Sequence, residues 1–100
     1  MARILIADDD AGVREGLAEA IADLGHAVAE AADGAAALAA AARLAPDAVL
    51  LDLRMPGALD GMAVLRQLRA RPAPPLTAIL TAYASAESTI EAMRLAPSTT

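Results

Sequence analysis

Acidic residues stand where the apolar runs of this chain stop. Ile4-Leu5-Ile6-Ala7 gives way to Asp8-Asp9-Asp10, Ala48-Val49-Leu50-Leu51 gives way to Asp52, and Leu76 to Leu80 gives way to the hydroxyl of Thr81. Short continuous apolar runs read as strands covered on both faces, and open parallel sheets bind ligands beyond the carboxyl ends of such strands. If the first, third and fourth strands are neighbours, Asp8, Asp9, Asp52 and Thr81 converge. Carboxylates held within a few ångströms repel, and each resists ionisation unless a cation sits among them. A hard, oxygen-seeking ion such as Mg²⁺ suits that set, because it takes one or two carboxylates, keeps several waters and accepts phosphate oxygens. Phosphoryl chemistry follows. Asp52 becomes a candidate nucleophile, since a carboxylate can form an aspartyl-phosphate while the metal neutralises the arriving charge. Thr81 could donate to a phosphoryl oxygen, with the small Ala82 beside it leaving space.

The elements that must position these residues alternate along the chain. Asp10 can cap a first helix in which Val13, Leu17, Ala20, Ile21 and Leu24 mark one face, and Gly25 supplies its stop. Ala27 to Ala31 is a weaker strand. Asp33-Gly34 opens an alanine-rich second helix through about Leu44, which Pro46 ends. After the third strand, Pro56-Gly57 forbids further pairing and supplies a turn. Leu59-Asp60 precedes a third helix over about Gly61 to Ala70, with Val64, Leu65 and Leu68 inward and Arg66, Arg69 and Arg71 on the solvated side. Ser85 can cap a fourth helix that carries Ala86, Ile90 and Met93 on one face. Strand and helix thus alternate four times, with connections too short for anything but a parallel sheet with right-handed crossovers. His26 reads as a surface turn residue.

Composition narrows the function class. One hundred residues make one domain, 1–100, without repeat or linker. Of the 57% hydrophobic residues, 29 are alanine and only Tyr83 is aromatic, so the core must be Leu, Ile, Val and Met. A net charge of −5 with no basic run argues against direct contact with nucleic acid or an anionic membrane surface. Cysteine is absent, which excludes thiol chemistry and disulfides. With no apolar run of membrane-spanning length and no room for a signal peptide, a cytoplasmic location is expected.

Asp8-Asp9, Asp52 followed by Arg54-Met55-Pro56-Gly57, Asp60-Gly61 and Thr81-Ala82 together resemble the receiver domain of two-component response regulators, over residues 3 to about 96. The resemblance implies a flavodoxin-like (CheY-like), doubly wound parallel α/β sheet with strand order 2-1-3-4. It implies that Asp52 accepts a phosphoryl group from a sensor histidine kinase, that Asp9 binds Mg²⁺ directly, and that Asp8 helps to hold the ion through water. The backbone carbonyl at Arg54 would complete the protein ligands, and Thr81 would be the switch hydroxyl. The segment from Thr81 to Arg94 looks most like receivers of enhancer-binding transcription activators.

Receivers also carry a fifth strand ending in lysine and proline, then a fifth helix. Here the chain reads as a receiver cut after its fourth β-α unit, and all eight basic residues are arginine. An apolar fourth strand left at the edge invites pairing, so a homodimer through strand four and helix four is expected. Two other readings compete. A receiver-like module impaired in phosphorylation could act through dimerisation or partner binding. A haloacid-dehalogenase-like phosphatase would use Asp8-x-Asp10, although Ala11-Gly12-Val13 lacks the hydroxyl that motif continues with. A nucleotide-binding Rossmann domain lacks support, since no glycine-rich loop follows strand one.

Overall fold

Four parallel strands form one sheet in the computed structural model, which describes residues 1–57 and 59–80. The expected switch hydroxyl Thr81, its neighbours Ala82 and Tyr83, and the fourth helix lie outside the described residues. In chain order the elements are β1 (Arg3–Ala7), α1 (Ala11–Asp23), β2 (Ala27–Ala31), α2 (Gly34–Leu44), β3 (Ala48–Asp52), α3 (Gly61–Arg69) and β4 (Leu76–Leu80). The sheet order is β2-β1-β3-β4, the expected doubly wound arrangement. Register places Ala7 beside Leu51 and Asp52 beside Leu80. The carboxyl ends of β1 and β3 are therefore adjacent.

Right-handed crossovers dictate where the helices go. The chain steps one way from β1 to β2 and then back across β1 to β3, so α1 and α2 fall on opposite faces. The step from β3 to β4 continues in the second direction, and α3 joins α2. Strand alternation sorts the side chains accordingly. Leu5, Ala7, Ala31, Val49 and Leu51 point into one core with Ala37, Ala40 and Ala41 of α2 and Val64, Leu65 and Leu68 of α3. The alanines of α2 let that helix lie close to the strands, while α3 contributes the larger side chains.

Helix boundaries have local causes. Asp10, Asp33 and Asp60 each accept a hydrogen bond from the backbone N–H three residues on, at Val13, Ala36 and Ala63. That bond satisfies one of the orphan donors of the first turn. Gly25, with φ of +93°, follows α1 and donates to the Ala22 carbonyl. At the end of α2 the left-handed position belongs to Ala45 instead, just before Pro46.

Four expectations need correction. The inward face of α1 holds only at Leu17 and Ile21, which are half-buried; Ala20 is exposed, as are Val13 (48%) and Leu24 (76%). The reason is placement, because α1 lies over β1 and β2 at one side of the sheet, and no described element covers its outer flank. β3 is likewise not covered equally on its two faces. Val49 and Leu51 are fully buried toward α2 and α3, whereas Ala48 and Leu50 on the α1 side are half-buried. His26 is more than a turn residue, since its Nδ1 accepts the Ala2 N–H at 3.0 Å and ties the start of the chain down. The arginines expected on the solvated side of the third helix also divide, with Arg66 exposed and Arg69, the last residue of α3, and Arg71, just beyond it, half-buried.

Candidate functional site

Asp8, Asp9 and Asp52 converge where β1 and β3 end, each offering a carboxylate oxygen within 4.8 Å of the others. Three different constraints put them there. Asp8 continues the β1 ladder by donating its N–H to the Ala31 carbonyl of β2 at 3.0 Å, so its side chain is carried into the sheet end and is 6% exposed. Its Oδ1 accepts the Asp10 N–H at 2.9 Å, folding the aspartate run back on itself. Asp9 is exposed, at the mouth of the cluster. Asp52 is the last residue of β3 and is half-buried, with Oδ1 accepting the Arg54 N–H at 2.9 Å.

The environment of Asp52 resists a naked charge. Its carboxyl is raised from 3.8 to about 6, first by burial, then by the Asp8 and Asp9 charges and a hydrogen bond with the Asp8 side chain, against the lowering pull of the Arg54 N–H. Acids that oppose one another's ionisation form a donor set for a hard cation, which would relieve the repulsion and satisfy the oxygens together.

The loop from β3 to α3 is clamped at both ends by glycine. Gly61 opens α3 so close to the end of β3 that a Cβ there would overlap the Asp52 carbonyl oxygen and Leu53 Cα, and its N–H donates to the Leu53 carbonyl at 3.2 Å. At Gly34, the first residue of α2, a Cβ would overlap Leu59. These approaches hold Leu53 and Met55 in the core and keep Arg54 exposed beside the acids.

Of the residues singled out from sequence, Asp8, Asp9 and Asp52 are brought together, and Arg54 lies next to them through its backbone. Asp10 is not part of the cluster, because its side chain caps α1. The Asp8-x-Asp10 pairing required by the phosphatase reading is therefore absent. Two residues escaped sequence reasoning. Arg14 donates from Nη1 to the Asp8 carbonyl at 2.9 Å and from Nε to Glu30 Oε1 at 3.2 Å. The available signals were a basic residue one turn into the helix behind the acids, and an acid interrupting the apolar second strand.

The chain is similar to known proteins. A family model described as the response regulator receiver domain matches residues 4–98. Regulatory protein AtoC of Escherichia coli (strain K12) is 40% identical over 92 residues, covering 92% of this chain and 20% of the relative. Response regulator MprA of Mycobacterium sp. (strain KMS) is 51% identical over 67 residues, covering 67% of this chain and 29% of the relative. This chain therefore spans less than a third of the length of either relative. Among solved structures, the Vibrio cholerae chemotaxis protein CheY4 superposes with a TM-score of 0.86 at 29% identity, over 95% of this chain and 80% of that one.

Proposed function

Because this chain belongs to the response regulator receiver domain family of two-component systems, we propose that Asp52 accepts a phosphoryl group from a sensor histidine kinase in a Mg²⁺-dependent reaction. The observation that carries the proposal is the convergence of Asp8, Asp9 and Asp52 at the ends of two adjacent strands. Asp9 and Asp52, with the Arg54 carbonyl, would hold the ion directly, and Asp8 would hold it through water. Bound there, Mg²⁺ supplies positive charge to the non-bridging phosphoryl oxygens.

The chain's own residues do the rest. The Arg54 N–H fixes the orientation of the Asp52 carboxylate, and burial strips part of its hydration, which leaves it the more ready to attack. With its carboxyl at about 6, Asp52 is mostly ionised at neutral pH. One carboxylate oxygen bonds to phosphorus as the bond from phosphorus to the donor imidazole breaks, and the imidazole leaves with that electron pair. The product is an acyl phosphate on Asp52. Thr81 directly follows Leu80, the residue paired in register with Asp52, and this supports it as the hydroxyl that donates to the phosphoryl group. Phosphorylation would shift the balance between two conformations by favouring one. The domain acts on its own aspartate and turns over no free substrate.

The relatives, named a regulatory protein and a response regulator, support a place for this domain in a larger regulatory protein, which we read as a cytoplasmic regulator of transcription. Among the described residues, no helix is long and apolar enough to cross a membrane. The proposal is tested by intact-protein mass spectrometry after incubation with acetyl phosphate. One phosphoryl adduct that needs Mg²⁺ is expected, and none under any condition would favour a receiver fold acting only through association.

Association has its own support. β4 pairs with β3 alone among the described strands, and Leu76 at its start is 55% exposed. A homodimer through β4 is expected to sediment as such at micromolar concentration and to dissociate on Leu76→Lys. A parent that sediments as a monomer contradicts it.

A further inference from the structure

Asp8 and Asp9 are joined by a peptide unit whose oxygen is the Asp8 carbonyl, and peptide units are planar. Whatever fixes that oxygen fixes the plane, and with it the direction in which the Asp9 backbone and carboxylate leave β1. The group that fixes it is the Arg14 guanidinium, which donates from Nη1 to this oxygen at 2.9 Å. Its other edge is anchored, since Nε donates to Glu30 Oε1 at 3.2 Å. Glu30 lies on β2 next to Ala31, whose carbonyl takes the Asp8 N–H. β2 thus grips Asp8 on both sides, directly through Ala31 and indirectly through Glu30 and Arg14. The Arg14 side chain is 15% exposed and that of Glu30 39%, so the guanidinium is shielded while its anchor is reached by water.

We propose that Arg14, braced by Glu30, is a positioning residue that aims the Asp8–Asp9 peptide so that its carboxylates meet a divalent cation. This inference rests on the Mg²⁺ reading of the acid cluster. A rigid, planar fork can join a carbonyl to a carboxylate in fixed geometry, which an ammonium cannot.

The sign of the effect separates positioning from charge. Arg14 is a cation beside a cation site, so by Coulomb's law alone Arg14→Met should bind Mg²⁺ more tightly. Positioning demands the reverse, about tenfold weaker binding, the lower end of what lost outer-shell contacts cost a metal site. Arg14→Lys, which keeps the charge and loses the fork, should also bind more weakly than the parent.

The experiment is a calorimetric Mg²⁺ titration of the parent, Arg14→Met, Arg14→Lys and Glu30→Ala, with the Asp9 amide resonance followed in the metal-free proteins. Weakened binding in all three variants, with a displaced Asp9 resonance, is the expected result. Binding that is unchanged or tighter in Arg14→Met overturns the inference. If Arg14→Met does not fold, Arg14→Lys decides, because it keeps the charge while losing the fork, and parental affinity there overturns the inference equally. A parent that takes up no Mg²⁺ contradicts the metal reading itself, and the positioning role falls with it.

Discussion

Asp52→Asn is expected to stabilise the metal-free protein at neutral pH while abolishing its phosphorylation. In the parent the Asp52 carboxyl is raised from 3.8 to about 6, so between those values the folded state binds more protons than the unfolded state. The Asp52 contribution to stability is therefore fully present below about pH 4 and is lost as pH rises through about 6. Above that pH the parent carries an ionised carboxylate that burial and the Asp8 and Asp9 charges disfavour. Asparagine keeps an acceptor for the Arg54 N–H and carries no charge. Solvent reaches the half-buried group, so a gain of about 1 to 2 kcal/mol at pH 7 is expected rather than the full value of the shift. Urea unfolding from pH 4 to 8 checks this, because the parent should lose ground against the variant between pH 4 and 6. Saturating Mg²⁺ should reverse the order, since a cation among the three acids stabilises the parent by mass action. A variant less stable than the metal-free parent at pH 7 would contradict this reading of the cluster.

Gly61→Ala is expected to cost about 2 to 4 kcal/mol and to weaken the site with it. Helix propensity alone predicts a gain, because alanine is favoured over glycine within a helix by about 1 kcal/mol. Contact decides otherwise. The added Cβ would overlap the Asp52 carbonyl oxygen and Leu53 Cα, and both are backbone atoms that cannot rotate aside. Either α3 moves outward and opens the packing of Val64, Leu65 and Leu68, or the end of β3 shifts and takes Asp52 with it. Gly16→Ala is the control, since nothing lies within 4 Å of a Cβ there and the position is exposed on α1. That change should be neutral or stabilising by up to about 1 kcal/mol. Thermal melts of the two variants read the contrast directly, and equal melting temperatures would contradict the close approach at Gly61.

Much of this architecture can be read from residue order because local and global preferences agree. The apolar runs that stop at Asp8 and Asp52 mark the ends of β1 and β3, and Asp10, Asp33 and Asp60 mark helix starts by the caps they make. The convergence of three acids is therefore legible in the order of residues alone. What periodicity could not give was how fully each face is covered. The apolar stripe of α1 is real, yet the amount of it that is buried depends on neighbours rather than on the stripe, as Val13 and Leu24 show. Nor does spacing reveal contacts that cross between elements. Arg14 and Glu30 are sixteen residues apart and meet only because β2 lies beside β1. The same holds for His26 and Ala2.

The most direct test of the central claim locates the phosphoryl group. After reaction with acetyl phosphate and Mg²⁺, borohydride reduces an acyl phosphate on aspartate to homoserine, which peptide mass spectrometry can place in the chain. Homoserine at position 52 alone, absent without Mg²⁺ and absent in Asp52→Asn, is the predicted result. Label at Asp8 or Asp9 instead, or label at Asp52 that forms equally well without the metal, would contradict the account.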